Sequence, residues 1–125
     1  MKAVRYKNVR CTVDYYKTER GDAPVMDFLK KLPIKLRAKN MRELSLLEEF
    51  GTDLPAPYTK QLRGYKGLWE LRVKLSSDIT RIFYYFPTGT RILLLHGFTK
   101  KTNETPSIEL ETALRRMNDA IGRGL

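Results

Sequence analysis

The sequence predicts an α+β fold in which an N-terminal helical hairpin packs on a curved antiparallel sheet and a C-terminal helix follows. Three observations predict it. The stretch 60–101 contains three strand-like runs separated by short breaks, two helical stripes precede it, and one follows it. The chain has 125 residues, enough for one substantial core but too few for two. We therefore expect a single domain over 1–125.

One strand and two helices are predicted ahead of that stretch. Val9–Tyr16 is rich in β-branched and aromatic residues and is expected to join the same sheet. A first helix is predicted from Pro24 to Leu32, because proline is favoured in the first helical turn. A second helix is predicted from Pro33 to about Gly51, and 52–59, which contains two prolines, is predicted to be an extended loop. The apolar stripe expected on the second helix is Ile34, Ala38, Met41, Leu44 and Leu47.

A last helix is predicted after Thr105–Pro106, with a stripe formed by Leu110, Leu114, Met117 and Ile121. The outer side of the hairpin is basic. It carries Lys30, Lys31, Lys35, Arg37, Lys39 and Arg42. This surface is interpreted equally well as a solvated helix face or as a contact for an RNA backbone.

The three runs Leu68–Leu75, Thr80–Phe86 and Arg91–Phe98 predict an antiparallel meander. The first run alternates apolar and polar residues, which is typical of a strand with one buried face. We take Ser76–Ile79 and Pro87–Thr90 as four-residue connections, since a connection of defined length sets the register of the strands it joins. A different length would change which side chains are neighbours.

This register predicts one apolar and one polar face. It sets Lys74 opposite Arg81 and places Arg81 beside His96, so that these three form a row across the sheet. The apolar face would hold Leu71, Val73, Ile82, Tyr84, Phe86, Leu93 and Leu95. The polar face would hold Glu70, Arg72, Lys74, Arg81, Phe83, Tyr85 and His96, and function is expected there.

The net charge of +10, from 24 Lys and Arg against 14 Asp and Glu, favours an anionic partner, most commonly nucleic acid. Improved solubility is the alternative explanation. The single cysteine, Cys11, excludes an intramolecular disulfide framework and a Cys-rich zinc site. No motif for a metal or a cofactor is present, so none is expected. No apolar run suits a membrane span or a signal peptide, and a cytoplasmic protein is predicted.

Arginine and lysine without a metal suit one reaction in particular, the cleavage of RNA by its own 2′-hydroxyl. The substrate supplies the nucleophile, and the protein aligns the strand, stabilises charge on the phosphate and moves two protons. Arg72 and Arg81 are the candidates for the phosphate, because guanidinium forks bind phosphate oxygens and stay charged. His96 is either a packed, hydrogen-bonded residue or an acid/base group for proton transfer. Phe83 and Tyr85 could stack an unpaired base, although such aromatics are more often part of a core.

Five segments follow one another in a specific order and spacing, Lys60–Gly64, Leu68–Arg72, Arg81–Tyr84, Leu95–Thr102 and Thr105–Pro106. Together they resemble the RelE/ParE toxin superfamily, most closely its HigB-like, often phage-associated branch. The resemblance implies a small toxin that cuts mRNA on the translating ribosome. It also implies neutralisation by a helix-turn-helix (HigA-like) antitoxin, through which alone the toxin would reach operator DNA.

The resemblance also implies roles for single residues. Lys60 and Arg63 match the basic pair ahead of the active strand, Arg72 and Arg81 match strand arginines, and Lys100 and Lys101 match the basic end of the last strand. Lys74 falls near a catalytic arginine of RelE. No tyrosine or histidine follows Pro106, where some relatives have their proton-transfer group. With this resemblance, Lys60, Lys100 or His96 is expected to handle protons. The general acid is left open among His96, Tyr84 and a lysine of depressed pKa.

Two other functions fit the same fold. A ParE-like protein would block DNA gyrase by binding and would perform no chemistry. A basic phage protein without toxicity would only bind RNA or ribosomes. Arginines and a histidine together on the proposed face favour the nuclease over the ParE-like protein. A helix-turn-helix gene adjacent to this one would favour a toxin over the non-toxic protein.

Overall fold

The computed structural model describes residues 10–55, 58–100 and 105–125. Within these ranges, three α-helices and one open five-stranded sheet confirm the predicted α+β class. Val9, the first residue of the predicted N-terminal strand, lies outside these ranges, and so does Lys101. No helix in the described ranges combines the length and apolar character that crossing a bilayer requires. In chain order, the elements are β1 (Thr12–Tyr15), α1 (Pro24–Lys30), α2 (Ile34–Phe50), a short 3-10 helix (Gly51–Asp53), β2 (Thr59–Gln61), β3 (Trp69–Leu75), β4 (Asp78–Thr88), β5 (Arg91–Lys100) and α3 (Ser107–Arg123).

The strands are ordered β1-β5-β4-β3-β2. The meander β3-β4-β5 is antiparallel, as predicted. Two details differ from the prediction. β1 joins β5 in parallel, so the sheet is mixed. The predicted loop ends in β2, which pairs antiparallel with β3 over only three residues, too few for a periodicity to be recognised in the sequence.

The connection between β3 and β4 is two residues long, Ser76–Ser77, so the predicted four-residue connection is wrong. Leu75 pairs with Asp78, and Ser76 has a φ of 58°, as the first position of a tight hairpin turn requires. The register therefore slips by two residues. Because side chains alternate with a period of two, the faces are preserved while the partners change. Arg72, rather than Lys74, lies opposite Arg81.

The pairing of β4 with β5 contains two irregularities, between Phe83 and Tyr84 and between Tyr85 and Thr88. Across the first of them, Tyr84 pairs with Leu94 and Phe83 pairs with His96, which leaves one extra residue on β5. A one-residue bulge exchanges the faces of every later side chain.

Thr88 pairs with Arg91, so the connection between β4 and β5 is two residues long and the predicted four-residue connection Pro87–Thr90 is wrong. The shorter connection and the irregular pairing together correct two predictions. Leu93 and Leu95 pack on the face opposite to the predicted apolar layer, and Ile92 and Leu94 take their place. Arg81 lies opposite Phe98 and not beside His96.

Helices cover both faces of the sheet. α1 and α2 pack on the side of Leu71 and Ile82, and α3 packs on the side of Phe83 and Leu95. A strand buried on both faces is apolar along its whole length, which explains the consecutive run Ile92–Leu95. Phe83 and Tyr85 belong to the α3 layer and are 0% and 7% exposed. The core interpretation of these two aromatics is therefore the one that the structure supports.

The buried stripe of α2 differs from the prediction. Ile34 and Met41 are exposed, whereas Asn40 is fully buried. The Asn40 side chain donates to the Leu36 carbonyl and accepts from the Thr80 hydroxyl. A satisfied polar residue in the core rotates the buried face away from the side that apolar spacing alone indicates. The buried residues of α2 are Leu36, Asn40, Glu43, Leu44 and Leu47. On α3 they are Ala113, Met117 and Ala120, while Ile121 is exposed.

Candidate functional site

Four basic residues from four neighbouring strands form what we call the basic cluster, Lys60, Arg72, Arg81 and Lys100. They come from β2, β3, β4 and β5 in that order. Arg72 lies directly opposite Arg81, and Lys100 interacts electrostatically with the other three. Like charges on neighbouring strands repel. The four positive charges therefore repel one another, and an anionic ligand would relieve that repulsion.

Glu70 is the acidic partner within this cluster. A guanidinium nitrogen of Arg81 donates to Oε2 of Glu70 over 2.6 Å, and the two residues are 5% and 1% exposed. Nε of Arg81 is buried and has no partner among the described residues. The carboxylate holds Arg81 in one orientation, because a short charge-assisted hydrogen bond is strong and directional.

Lys100 is buried beside this pair. Burial lowers the pKa of the Lys100 ammonium, and the positive charge of Arg81 lowers it further. The negative charge of Glu70 opposes this shift, whereas Arg72 and Lys60 add to it. Lys100 is consequently a better proton donor than an ordinary lysine. Arg72 and Lys60 are exposed, so a phosphate arriving from solvent can reach them directly.

Two clefts flank the basic cluster. The smaller has a volume of about 200 Å³ and lies at the free edge of β3, where it is lined by Lys39, Glu43, Tyr58, Arg72, Lys74 and Ile79. The larger, about 500 Å³, is lined by Lys60, Leu62, Arg63, Tyr65, Thr105 and Leu110. We refer to them as the edge cleft and the α3 cleft. Each shares one residue with the basic cluster, so a bound strand could occupy both.

Tyr58 and Tyr65 are the exposed aromatic residues of these clefts, at 37% and 39%. Neither tyrosine was predicted as a site residue, because both lie outside the strand-like runs of the sequence. The signal that was present is a tyrosine in a loop within a few positions of a basic residue, as in Tyr58 before Lys60 and Tyr65 after Arg63.

The structure does not bring His96 into the basic cluster. Its Nε2 lies 2.5 Å from Oε1 of Glu109, and its Nδ1 lies 3.1 Å from a guanidinium nitrogen of Arg116. The guanidinium can only donate, so Nδ1 accepts and the ring is neutral with its proton on Nε2. Burial lowers the pKa of His96, and the hydrogen bond to Glu109 opposes this. His96 thus joins β5 to α3.

The other predicted site residues divide into three groups. Arg63 and Lys74 line the α3 cleft and the edge cleft, respectively. Phe83 and Tyr85 are buried beneath α3, and Tyr84 is buried on the opposite face, where burial raises its pKa well above the ordinary value. Lys101 lies outside the described residues.

Two residues of the basic helix exterior have structural contacts. The Arg37 guanidinium donates to the carbonyls of Leu29, Lys30 and Leu32, and it thereby caps the C-terminal end of α1. Lys39 donates to the Lys74 carbonyl at the edge of β3. In the part of the chain that the structure describes, no group of three or more His, Cys, Asp or Glu residues is placed to hold a metal ion.

Comparison with known proteins gives a family match. Residues 27–118 match the family described as phage derived protein Gp49-like (DUF891). The matched range includes all four residues of the basic cluster, Glu70, and both clefts. A search of curated proteins found no match.

Proposed function

The chain belongs to the Gp49-like family of phage-derived proteins, a RelE-like toxin family of type II toxin–antitoxin systems, and from this premise we propose that it is a ribosome-dependent mRNA endoribonuclease. The proposed reaction needs no metal. The 2′-hydroxyl of one nucleotide attacks the adjacent phosphate and expels the 5′-oxygen of the next nucleotide. The observation that carries the proposal is the basic cluster around Glu70.

Positive charge in the cluster would stabilise the phosphate as charge builds on its oxygens. Arg72 is exposed and can offer two donors to two oxygens. Arg81 is already oriented by Glu70, so it would not have to reorganise during the reaction. Preorganised donors of this kind contribute most when water is excluded. The burial of Arg81 and Lys100 supports that condition.

Lys100 is proposed to protonate the leaving 5′-oxygen. Its lowered pKa favours proton donation, and it lies close enough to Arg81 to interact with its charge, so it would lie near a phosphate bound there. The proton of the attacking 2′-hydroxyl would pass to water on the open side of the cluster, where Lys60 and Arg72 are exposed. His96 and Tyr84 are not assigned proton transfer in this proposal, because one is held by α3 and the other lies across the sheet.

The two clefts would hold the nucleotides on either side of the scissile phosphate. Tyr58 and Tyr65 could stack unpaired bases, and Arg63 and Lys74 could contact the backbone. Separating two adjacent bases brings the 2′-hydroxyl into line with the leaving oxygen, which is the main geometric requirement of this reaction.

Membership in a toxin family implies an antitoxin partner. We propose that this partner is a helix-turn-helix protein of the HigA type, that operator DNA is bound through it alone, and that the toxin acts in the cytoplasm. The +10 charge of the chain supports an acidic contact surface on the antitoxin.

The test is induced expression without antitoxin, with mapping of mRNA ends in the presence and absence of translation. Arg72→Ala is the informative variant, because Arg72 is exposed and its loss should not unfold the protein. We expect cleavage to fall by about 100-fold or more. Arg20→Ala, an exposed arginine in the loop before α1, is the matched control and should cut normally.

Three results would argue against the proposal. Unchanged cutting by folded Arg72→Ala would show that Arg72 has no role in the reaction. Cutting that continues without translation would show that the reaction does not depend on the ribosome. Intact mRNA together with a DNA-damage response would favour gyrase blockage of the ParE type.

A further inference from the structure

We propose that the edge cleft is a nucleobase pocket in which the carboxylate of Glu43 selects guanine. The proposal rests on the proposed cleavage of RNA and adds a determinant of sequence preference to it. Glu43 lies on α2, outside the strands that carry the basic cluster.

The edge cleft is a small site with a fixed shape. Its volume of about 200 Å³ is below the range of ordinary small-molecule pockets and suits one planar ring system. Lys39 of α2 donates to the Lys74 carbonyl and ties the helix to the free edge of β3. The backbone N–H of Arg72 donates to the Tyr58 carbonyl over 2.8 Å. These contacts fix two walls of the cleft.

The cleft is continuous with the basic cluster through Arg72, which belongs to both. A phosphate held by Arg72 would therefore carry its own nucleoside to the mouth of the cleft. Tyr58 lines the cleft and exposes about a third of its surface. Its ring offers a stacking surface of the kind that proteins use for unpaired bases.

Glu43 is the residue that gives the cleft chemical selectivity. It is 6% exposed and lines the cleft, and its Oε1 has no hydrogen-bond partner among the described residues. A buried polar atom without a partner is rare and costs stability. Burial raises the pKa of Glu43, and Lys39 and Arg42 only partly oppose this. A ligand that donates hydrogen bonds would satisfy the atom that the fold leaves unsatisfied.

The chemistry of a carboxylate favours guanine. Two carboxylate oxygens present two acceptors side by side, and guanine presents two adjacent donors, N1–H and the N2 amino group, on its Watson–Crick edge. Adenine and cytosine each place an acceptor next to their single donor, and that acceptor would face the second carboxylate oxygen. A glutamine at the same position would present one donor and one acceptor, the pattern that suits adenine.

The test is an NMR titration of the full chain with GMP, IMP and AMP. The wild type should bind GMP about 10-fold more tightly than AMP. IMP, which lacks the N2 amino group, should fall between them. Glu43→Gln should lose the preference for GMP and gain affinity for AMP. Glu49→Gln, an exposed glutamate near the end of the same helix, is the matched control and should keep the wild-type order.

Equal affinity of the wild type for GMP and AMP would overturn the proposal, as would no binding of any nucleotide or an unchanged ratio in Glu43→Gln. The map of mRNA ends separates this inference from the proposed function. Cuts in translated mRNA with no enrichment of guanine would contradict the inference alone. A Glu43-dependent preference for GMP in a protein that leaves mRNA intact would support the pocket and contradict the nuclease.

Discussion

The Arg81 guanidinium lies 2.6 Å from Oε2 of Glu70, and both side chains are almost completely shielded from solvent. This contact joins adjacent strands at the centre of the basic cluster. It compensates the charge of a buried arginine beside Arg72 and Lys100, because the carboxylate offsets part of their mutual repulsion. The same pair therefore affects both the stability of the protein and the proposed chemistry.

Removing one partner of this pair should destabilise the protein strongly. We expect Glu70→Ala to lower the free energy of unfolding by about 3–5 kcal/mol, because it leaves Arg81 buried and unpaired. The double substitution Glu70→Leu with Arg81→Met removes both charges and should unfold near the wild-type midpoint, yet cut no mRNA. Urea unfolding followed by the fluorescence of Trp69, the single tryptophan, measures both. A double variant that is no more stable than Glu70→Ala would refute the account.

Lys100 should titrate below the ordinary lysine value of 10.5. The NMR signal of its ε-methylene group should therefore shift with a midpoint below that value. Removing a neighbouring cation with Lys60→Gln should raise the midpoint, since the ammonium then meets less repulsion. Glu70→Gln should lower it further, because an opposing negative charge is lost. Lys17→Gln, which changes an exposed lysine after β1, should leave the Lys100 midpoint unchanged. Equal shifts of that midpoint in all three variants would disprove the electrostatic cause.

Glu43→Gln should stabilise the protein at neutral pH. The pKa of Glu43 is raised from its ordinary 4.5, so the folded state penalises the ionised form. The destabilisation by ionised Glu43 is complete at a pH above its pKa in the folded state. It decreases as the pH falls through that pKa, and it is absent below the pKa of Glu43 in the unfolded state. The variant should therefore gain about 1 kcal/mol at neutral pH and lose that gain near pH 4. Urea midpoints across this range, with Glu49→Gln as reference, measure it; a gain that is independent of pH would exclude ionisation as the cause.

Gly97 is required where β5 passes under α1. A Cβ added at Gly97 would lie 2.6 Å from Cδ2 of Phe28, so Gly97→Ala should cost about 1–3 kcal/mol through overpacking. Phe28→Leu should restore part of that loss in the double variant, because it vacates the space. Gly89→Ala meets no atom within 4 Å and serves as the control. Thermal unfolding of the wild type, the two single variants and the double variant tests the coupling. Additive effects on stability would show that Gly97 and Phe28 are not coupled by a contact.

The elements of the fold were predictable because each follows from a local signal. Prolines mark the starts of the helices, and alternation marks β3. The register in which the strands pair was predicted less accurately than their positions in the chain. The β3–β4 slip of two residues preserved the faces, so Arg72 and Arg81 were still assigned to the same side. The bulge on β5 is a slip of one residue, and it exchanged the faces of Leu93 and Leu95.

The candidate site was predictable where it depends on residue type and strand face. Lys60, Arg72, Arg81 and Lys100 were all identified from sequence and lie together in the structure, although their catalytic roles remain proposals. Glu43 was missed because helix spacing assigned the buried face of α2 to other positions. His96 was predicted beside Arg81, but the pairing of β4 with β5 is displaced there by two residues, so Arg81 lies opposite Phe98 and His96 contacts Glu109 of α3.

The sequence by itself determined the fold class, the order of the elements apart from β2, and the charge on the sheet, because periodicity, proline and composition act over a few neighbouring residues. Only the tertiary structure decided that Arg81 pairs with Glu70, that His96 binds α3 and that Glu43 faces a cleft. Those relationships depend on how far one strand slides past another and on how a helix rotates over the sheet. Packing between distant segments sets both quantities, and no local pattern contains them.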